Sequence, residues 1–438
     1  MLRRFALLLA LAALPASSKP MNVVLIMADD VGYECFGAYG SKQYKTPRLD
    51  KLADTGVKFT HCYSTPLCTP SRVALMTGKS NVRNYAEFGT LLPGERTFAD
   101  VFRDAGYATA IAGKWQLQGN DRVTGVPAGH GFDTHLLWNT PITERRRFWN
   151  PSLDLNGEIM DVKEDDYGPD LMANFLLGFI EQNKDKPFLA YYPMVLVHTP
   201  FVPTPHSKDR ASKNIQKNFE DMVAYTDYIV GRFEDKLDEL GLTDNTVLIF
   251  TGDNGSHHNL SSELDGKTIR GDKGAPTDAG THVPMFVKAP GNVPGGRVID
   301  DLIDFVDVLP TVAEAAGLDA PTGIDGRSFW QRLTGKKGDP RDWHYTYYFP
   351  RPLAEKFDTP YANPEIRYVR DKRYKLYGNG ELFDVVADPH ESSPLAEGRS
   401  ADIRARLKAA LDSMPSHGAK IPEEQWRKSA SQQRPRWE

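Results

Sequence analysis

Residues 22–32 read Asn-Val-Val-Leu-Ile-Met-Ala-Asp-Asp-Val-Gly, an apolar run that ends in two adjacent carboxylates. Apolar runs without polar alternation are typical of strands that are buried on both faces of a parallel sheet. Residues 107–112, 187–192 and 246–251 predict three more such strands, and helical patterns lie between and after them, as at residues 219–240 and 304–316. The sequence therefore predicts an α/β fold with a doubly wound, mostly parallel sheet flanked by helices.

The bulk composition is that of a globular protein. The chain has 438 residues, of which 40% are hydrophobic and 25% charged, so it can bury a large core. We expect one large domain and a smaller one. A net charge of -5 argues against a general nucleic-acid-binding protein. An anionic substrate would therefore have to meet a local cationic pocket.

The N-terminus carries two arginines, an apolar run at residues 5–14 and then small residues. This pattern is typical of a secretory signal peptide and is too short for a membrane span. We expect residues 1–20 to be the signal peptide and the mature protein to be periplasmic or secreted, with no membrane span. In such an oxidising compartment, Cys35 and Cys62 can either form a disulfide or stay buried as free thiols.

Residues 68–72 read Cys-Thr-Pro-Ser-Arg, and Thr-Gly-Lys follows at residues 77–79. The proline and the serine, as a capping residue, indicate the start of a helix. The N-terminus of a helix presents backbone N–H groups that favour an anion, so Cys68 would lie beside an anion-binding position. Arg72, one helical turn further along, can direct its donors to the same place.

The stretch at residues 68–79 resembles the signature of the type I sulfatases, a family within the alkaline phosphatase superfamily. Further segments resemble the same family: Asp29-Asp30, Gly113-Lys114-Trp115, His198-Thr199-Pro200, Asp253-Asn254 and the loop of Lys273. In that family the signature cysteine is oxidised to formylglycine, whose hydrate supplies the nucleophilic oxygen. The resemblance implies that Cys68 is converted in this way by a formylglycine-generating enzyme or an anaerobic sulfatase-maturating enzyme.

Oxygen-bearing side chains follow two of the predicted strands, namely Asp29, Asp30, Asp253 and Asn254. An all-oxygen set suits a hard cation such as Ca²⁺ or Mg²⁺. The absence of a cluster of cysteines and histidines argues against structural zinc. The resemblance implies Ca²⁺ rather than Mg²⁺, with the modified Cys68 as a further ligand.

The resemblance also implies roles for four other side chains. Arg72, Lys114 and Lys273 would stabilise the negative charge of the sulfate group during transfer. His198 would protonate the leaving alcohol, because an imidazole can hold and release a proton near neutral pH.

Gln116 departs from the family pattern, in which this position is usually a histidine. An amide donates and accepts hydrogen bonds but cannot act as a base near neutral pH. Either another group takes the proton, with His257, His258 and His282 as candidates, or one step of the turnover is slow. We expect the side chains of Gln116 and His257 to contact the substrate.

The predicted reaction is the hydrolysis of sulfate esters, with a sulfated polysaccharide or oligosaccharide as substrate. Residues 144–149 group cations with aromatic side chains, and this run is either a solvated face or a wall that binds an anionic sugar chain through Arg145. A phosphodiester or phosphonate hydrolase of the same superfamily is an alternative, because the same metal and cations would serve phosphorus. A non-catalytic binder of sulfated glycans is a second alternative, supported by Gln116.

The C-terminal part has a different organisation. Residues 336–342 are rich in Lys, Gly, Asp and Pro, which indicates a linker between a catalytic domain at residues 21–335 and a subdomain at residues 336–414. This subdomain resembles the family's small antiparallel sheet with one helix, an α+β unit. Its predicted strands and helix lie at residues 343–349, 366–370, 374–377 and 400–414. Residues 415–438 are polar and are predicted to be disordered.

Overall fold

The computed structural model describes residues 20–117, 126–138, 146–349, 365–396, 398 and 400–420. These residues form an eleven-stranded sheet, a two-stranded hairpin and a separate four-stranded sheet. The strands are β1 (Asn22–Ala28), β2 (Val57–Tyr63), β3 (Ala108–Gly113), β4 (Thr134–Trp138), β5 (Leu153–Leu155), β6 (Glu158–Ile159), β7 (Phe188–Pro193), β8 (Thr246–Gly252), β9 (Ser261–Leu264), β10 (Lys267–Arg270), β11 (His282–Val283), β12 (Met285–Lys288), β13 (Arg297–Asp304), β14 (His344–Tyr348), β15 (Ile366–Arg370), β16 (Tyr374–Tyr377) and β17 (Leu382–Asp384). The helices are α1 (Pro47–Thr55), α2 (Cys68–Thr77), α3 (Asn81–Asn84), α4 (Phe98–Asp104), α5 (Gly168–Gln182), α6 (Ile215–Glu239), α7 (Asp278–Thr281), α8 (Val308–Ala315), α9 (Trp330–Leu333) and α10 (Ala401–Asp412).

The centre of the large sheet is parallel. Its strand order is β11-β2-β12-β8-β1-β7-β3-β4-β5-β6, with β13 beside β2. The neighbours β8, β1, β7, β3 and β4 run parallel to one another, and antiparallel pairs flank them on both sides. The predicted α/β fold with a doubly wound, mostly parallel sheet is confirmed.

Both faces of the central strands are buried. Val23, Leu25 and Met27 of β1 belong to one apolar core, which α2, α4 and α8 complete. Val24 and Ile26 belong to a second core beneath α1, α5 and α6. Because helices cover both faces of the sheet, every position of β1 favours an apolar side chain, and the sequence of this strand shows no alternation.

Two helices of the large domain begin elsewhere than predicted. α6 starts about one turn early, because the Asn214 side chain accepts a hydrogen bond from the backbone N–H of Lys217 at 3.0 Å and caps the helix. The helix predicted over residues 304–316 begins only at Val308, since the residues before it form β13 and a single 3-10 turn. The sequence of β13 did not indicate a strand because it carries two adjacent aspartates at a break in its pairing register.

The small sheet lies in the C-terminal part of the chain. Strands β14 to β17 pair antiparallel in chain order, and Leu407 and Leu411 of α10 pack in the same apolar cluster as Val369 and Leu376. This confirms the predicted antiparallel sheet with one helix, while the predicted boundary between residues 335 and 336 stays a prediction.

Several segments that the sequence singled out lie wholly or partly outside the described residues. These are almost all of the predicted signal peptide and residues 421–438 of the predicted tail. The first residues of that tail are held in place, since the backbone N–H of Ala419 donates to the Val82 carbonyl at 2.8 Å. Among the described helices, none is both long and apolar enough to cross a membrane. Cys35 and Cys62 are buried free thiols.

Candidate active site

Four neighbouring strand ends bring the predicted polar side chains to one edge of the sheet. In the order β8, β1, β7, β3, the strands lead into Asp253, Asp29, His198 and Lys114. Because the four strands are parallel, their carboxyl ends lie at the same edge, which is where open α/β sheets bind ligands. The loops are also tied together through their backbones. The backbone N–H of Asp29 donates to the Leu196 carbonyl at 2.6 Å. The N–H of Asp253 donates to the Ala28 carbonyl at 2.9 Å, and that of Lys114 donates to the Pro193 carbonyl at 2.7 Å.

Each buried carboxylate of this cluster has a cationic partner. Lys114 Nζ donates to both oxygens of Asp29 at 2.9 and 2.8 Å. Lys273 Nζ donates to Asp30 Oδ2 at 2.6 Å. The third pair joins Arg72 Nη2 to Asp253 Oδ2 at 2.9 Å. The structure thus brings the predicted metal ligands and the predicted cations into one buried network.

Burial and neighbouring charges act in opposite directions on these carboxylates. Burial by itself would raise the pKa of Asp29 and of Asp30, but nearby cations outweigh it and lower both values, chiefly Lys114 for Asp29 and Lys273 for Asp30. For Asp253, burial and the charge of Asp29 prevail, so its pKa is raised. Neighbouring carboxylates therefore compete for the same cations, a situation that a bound metal ion would relieve.

The donor atoms of the cluster fit a divalent cation. One ligand atom each from Asp29, Asp30 and His198 lies within 4.8 Å of the other two. Asn254 donates from Nδ2 to Asp30 Oδ1 at 2.9 Å, while its Oδ1 is buried and has no hydrogen-bond partner among the described residues. An unpartnered buried oxygen beside carboxylates suits a hard, oxygen-preferring ion. The sequence predicted His198 as a proton donor and not as a metal ligand, and the structure places its Nε2 3.6 Å from Asp30 Oδ2.

Cys68 is the first residue of α2 and is only 3% exposed. The serine predicted to cap this helix is not its N-cap. The N-cap is Leu67, which makes no side-chain cap, and Ser71 instead donates to the Leu67 carbonyl at 2.9 Å and accepts from the backbone N–H of Thr65 at 3.2 Å. This bonding fixes the turn that carries Cys68. Arg72 contributes to the charge around Cys68. Its Nη1 and Nη2 donate to the Lys114 carbonyl and to Asp253, while its Nε is buried without a hydrogen-bond partner among the described residues.

His198 lies at the rim of the carboxylate cluster. Its Nε2 is 3.6 Å from Asp30 Oδ2, and its Nδ1 lies 2.8 Å from the Thr199 carbonyl oxygen. Burial and the charge of Lys273 lower the pKa of His198 to about 3, so the imidazole is neutral in this arrangement. Its role as the acid for the leaving alcohol stays a prediction.

The histidines that could take the proton in place of Gln116 differ in the contacts that their rings make. Gln116 itself has a positive φ of 49°, an uncommon conformation for a side chain of this type. His282 already uses both ring nitrogens, with Asp278 Oδ2 at 3.1 Å and the Thr60 carbonyl at 3.0 Å, so it belongs to a structural network. His257 stacks on His258 with 4.1 Å between ring centroids, and burial together with His258 lowers the pKa of His257 to about 4.

The arginine run contributes a residue that sequence reasoning did not single out. Arg145 lies outside the described residues. Arg147, in contrast, is only partly buried, with 12% of its side chain exposed, and its Nη1 lies 3.9 Å from Asp29 Oδ2. Its guanidinium lies 4.0 Å from the centre of the Trp138 ring. The grouping of arginines with aromatics was the one sequence signal for this contact, and it did not tell which arginine points inward.

Comparison with known proteins places the chain in a family. A profile of the sulfatase family, described as "Sulfatase", matches residues 21–318, and one described as "N-sulphoglucosamine sulphohydrolase, C-terminal" matches residues 271–417. The chain belongs to the sulfatase family. Human arylsulfatase A is 32% identical over 444 residues, which cover 89% of this sulfatase and 82% of the human protein. An N-acetylgalactosamine-6-O-sulfatase of Bacteroides thetaiotaomicron is 27% identical over 486 residues, which cover 91% of this sulfatase and 93% of that relative. This sulfatase is a sulfuric ester hydrolase.

Solved structures agree with this assignment at the level of the fold. A Bacteroides thetaiotaomicron protein from work on glycosaminoglycan metabolism superposes with a TM-score of 0.71 and 23% identity, over 91% of this chain and 99% of that one. A phosphonate monoester hydrolase of Agrobacterium radiobacter superposes with a TM-score of 0.69 and 21% identity. The superposition covers 90% of this chain and 95% of that one. Both structures share the fold of this chain.

Proposed function

We propose that this sulfatase removes sulfate groups from a sulfated polysaccharide or oligosaccharide, with formylglycine at position 68 and a divalent cation, Ca²⁺ by resemblance, in the carboxylate cluster. The observation that carries the proposal is the meeting of three buried carboxylates and their cations at one sheet edge, where Arg72, one helical turn after Cys68 in α2, pairs with Asp253. The named activity of the Bacteroides thetaiotaomicron relative supports a carbohydrate substrate.

The chain would hold its cofactors with residues of that edge. Asp29, Asp30, Asp253 and Asn254 would ligate the cation, together with the modified residue 68. The formylglycine hydrate supplies the nucleophilic oxygen, and the cation supplies positive charge next to the sulfate.

The other residues of the pocket have proposed roles in binding charge and moving protons. Lys114 and Lys273 bring two buried ammonium groups to the place where the sulfate would bind. Arg72 holds Asp253 and the Lys114 carbonyl in fixed positions. His198 is the proposed proton donor to the leaving alcohol, because its imidazole lies beside the cluster and the negative charge of a bound sulfate would favour the protonated form that this step requires. Gln116, His257 and Arg145 are proposed contacts to the sugar.

Two further parts of the proposal concern maturation and location. Cys68 would be oxidised by a formylglycine-generating enzyme or an anaerobic sulfatase-maturating enzyme. The N-terminal pattern of charge and hydrophobicity supports export to the periplasm or the medium.

Hydrolysis of phosphodiesters or phosphonates is the second candidate function. Two observations favour it as a side activity. The Agrobacterium radiobacter phosphonate hydrolase has the same fold, and the carboxylate cluster predicted to bind the cation lies beside lysines. Turnover of an aryl sulfate, a phosphodiester and a phosphonate by one preparation would rank the two chemistries.

Mass spectrometry of the peptide that contains residue 68, combined with turnover, tests the proposal. For enzyme from its native host, we expect loss of the thiol and gain of an aldehyde, together with sulfate release from one or more of a panel of sulfated oligosaccharides. Cys68→Ala should abolish turnover, and Cys62→Ala, which alters a second buried thiol, should retain it. An unmodified thiol in active enzyme would contradict the formylglycine, and activity confined to phosphorus substrates would contradict the sulfate substrate.

A further inference from the structure

Arg147 is held rigidly beside the carboxylate cluster. Its backbone carbonyl packs so closely on Gly168 that a Cβ at that glycine would lie 2.3 Å from the carbonyl oxygen. The adjacent Phe148 carbonyl accepts a hydrogen bond from the N–H of Gly168 at 2.6 Å. Trp138, the last residue of β4, lies flat against the guanidinium at 4.0 Å. The arginine is therefore fixed at both its backbone and its charged end.

Arg147 is a cation beyond those that pair with the three aspartates. The distance of 3.9 Å from its Nη1 to Asp29 is too long for a hydrogen bond. Both oxygens of Asp29 already accept hydrogen bonds from Lys114. The guanidinium also lies within electrostatic range of Asp30 and Cys68. Among the described residues, the ion pair of Arg147 is this long one with Asp29, and no carboxylate oxygen there accepts a hydrogen bond from its guanidinium.

Buried donors at this place have no acceptor. Among the described residues, Arg147 Nη1 and Trp138 Nε1 are both buried without a hydrogen-bond partner. A buried donor without a partner costs about 1–3 kcal/mol, and more when the group is charged. An acceptor from a bound molecule or ion would remove this cost, and an anion with several oxygens suits a guanidinium best.

We propose that Arg147 is a sulfate-binding residue that donates from Nη1 to an oxygen of the sulfate group under hydrolysis, and that Trp138 positions its guanidinium. This inference rests on the proposed function. The nearness of Arg147 to Asp29 and Cys68 favours the reacting sulfate over a second anionic group elsewhere on the sugar.

The test uses the mature enzyme and an aryl sulfate in which the sulfate is the single anionic group. Arg147→Gln should lower kcat/KM at least about tenfold and weaken inhibition by inorganic sulfate by a similar factor, because a charge-assisted hydrogen bond is lost. Arg147→Lys should recover part of kcat/KM and part of the inhibition by sulfate. A structural role for the arginine would lower stability without changing the inhibition constant for sulfate.

Arg210 offers a matched control, because its guanidinium lies 4.1 Å from the Trp149 ring and that indole N–H already donates to the Pro203 carbonyl at 2.9 Å. Arg210→Gln should leave turnover of the aryl sulfate and inhibition by sulfate unchanged.

Three outcomes would overturn the proposal or separate it from the proposed function. Losses confined to a saccharide with carboxylates, with the aryl sulfate unaffected, would show that Arg147 binds a different anion. Equal inhibition of wild type and Arg147→Gln by sulfate, in two preparations with the same melting temperature, would also overturn it. If the wild type hydrolyses no sulfate ester, the proposed function fails, and calorimetric titration of inorganic sulfate into wild type and Arg147→Gln still tests the arginine by itself.

Discussion

At the scale of single residues, the site consists of buried ion pairs that do not favour folding by themselves. Removing two charges from water costs several kcal/mol per ion, and the attraction between them seldom returns more than that. Lys114 and Asp29, for example, are at most 1% exposed. Such pairs are retained where they serve a ligand, and here they surround the predicted cation and the start of α2.

Replacement of Asp253 tests the cation. Asp253→Asn keeps the size of the side chain but removes one charged ligand, so we expect loss of most bound Ca²⁺ and a fall in turnover of about a hundredfold or more. Elemental analysis of the dialysed enzyme, together with kinetics, measures both. Asp227→Asn is the control, because Asp227 is also a buried carboxylate but accepts hydrogen bonds from the start of α1. Unchanged metal content in Asp253→Asn would contradict the proposed ligand set.

At the scale of the elements, the site depends on how closely the strand ends pack. β3 ends at Gly113, which has a φ of 126° and meets the last residue of β7. A Cβ built there would lie 1.9 Å from the Pro193 carbonyl oxygen, and the backbone N–H of Lys114 donates to that same oxygen. The loop that carries Lys114 therefore requires a glycine before it.

Gly113→Ala should therefore both destabilise the enzyme and displace Lys114. We expect a loss of about 3 kcal/mol or more in the free energy of unfolding and a large fall in kcat. Gly106→Ala is the matched control, since Gly106 also has a positive φ, of 84°, but a Cβ there meets nothing within 4 Å. Gly106→Ala should lower the free energy of unfolding by about 1 kcal/mol and leave kcat unchanged. Chemical denaturation measures the free energy of unfolding, and steady-state kinetics measures kcat. Equal losses of stability in the two variants would contradict the explanation from close packing at Gly113.

At the scale of the whole molecule, the C-terminal sheet holds the loop that carries Lys273. Arg370 of β15 donates to Asp278 at 2.6 Å. Lys375 of β16, which is fully buried, donates to the Pro276 carbonyl and to Glu391. These contacts fix the segment that follows Lys273, so the small sheet helps to place a cation of the active site.

The burial of Lys375 predicts a pH dependence of stability. Burial lowers its pKa from 10.5 to about 8, although Glu391 opposes the shift. Below pH 8 both the folded and the unfolded chain hold the proton, so the cost of burying the charge is fully present. Between the two pKa values the unfolded chain binds more protons, so stability rises with pH by up to about 3 kcal/mol. Urea unfolding across this range should show this rise in wild type and not in Lys375→Met. Parallel pH curves for the two proteins would contradict the lowered pKa.

The sequence by itself determined the central strands, the sheet architecture, the family and the order of the polar strand ends. It did so because these features are local: a strand buried on both faces must be apolar throughout, as at residues 22–27, and the motif at Cys68 is contiguous. It did not indicate β13, whose aspartates interrupt the pattern, or α5, which follows a stretch without clear periodicity.

The tertiary structure decided which side chains meet. Sequence reasoning grouped Arg147 with its neighbours in a charged run, and only the packing of its loop beside β4 turns this arginine toward Asp29. His282 looked available as a base, yet the fold engages both of its nitrogens. Such contacts join residues that are far apart in the chain, and their geometry depends on distances and burial that no local pattern of residues encodes.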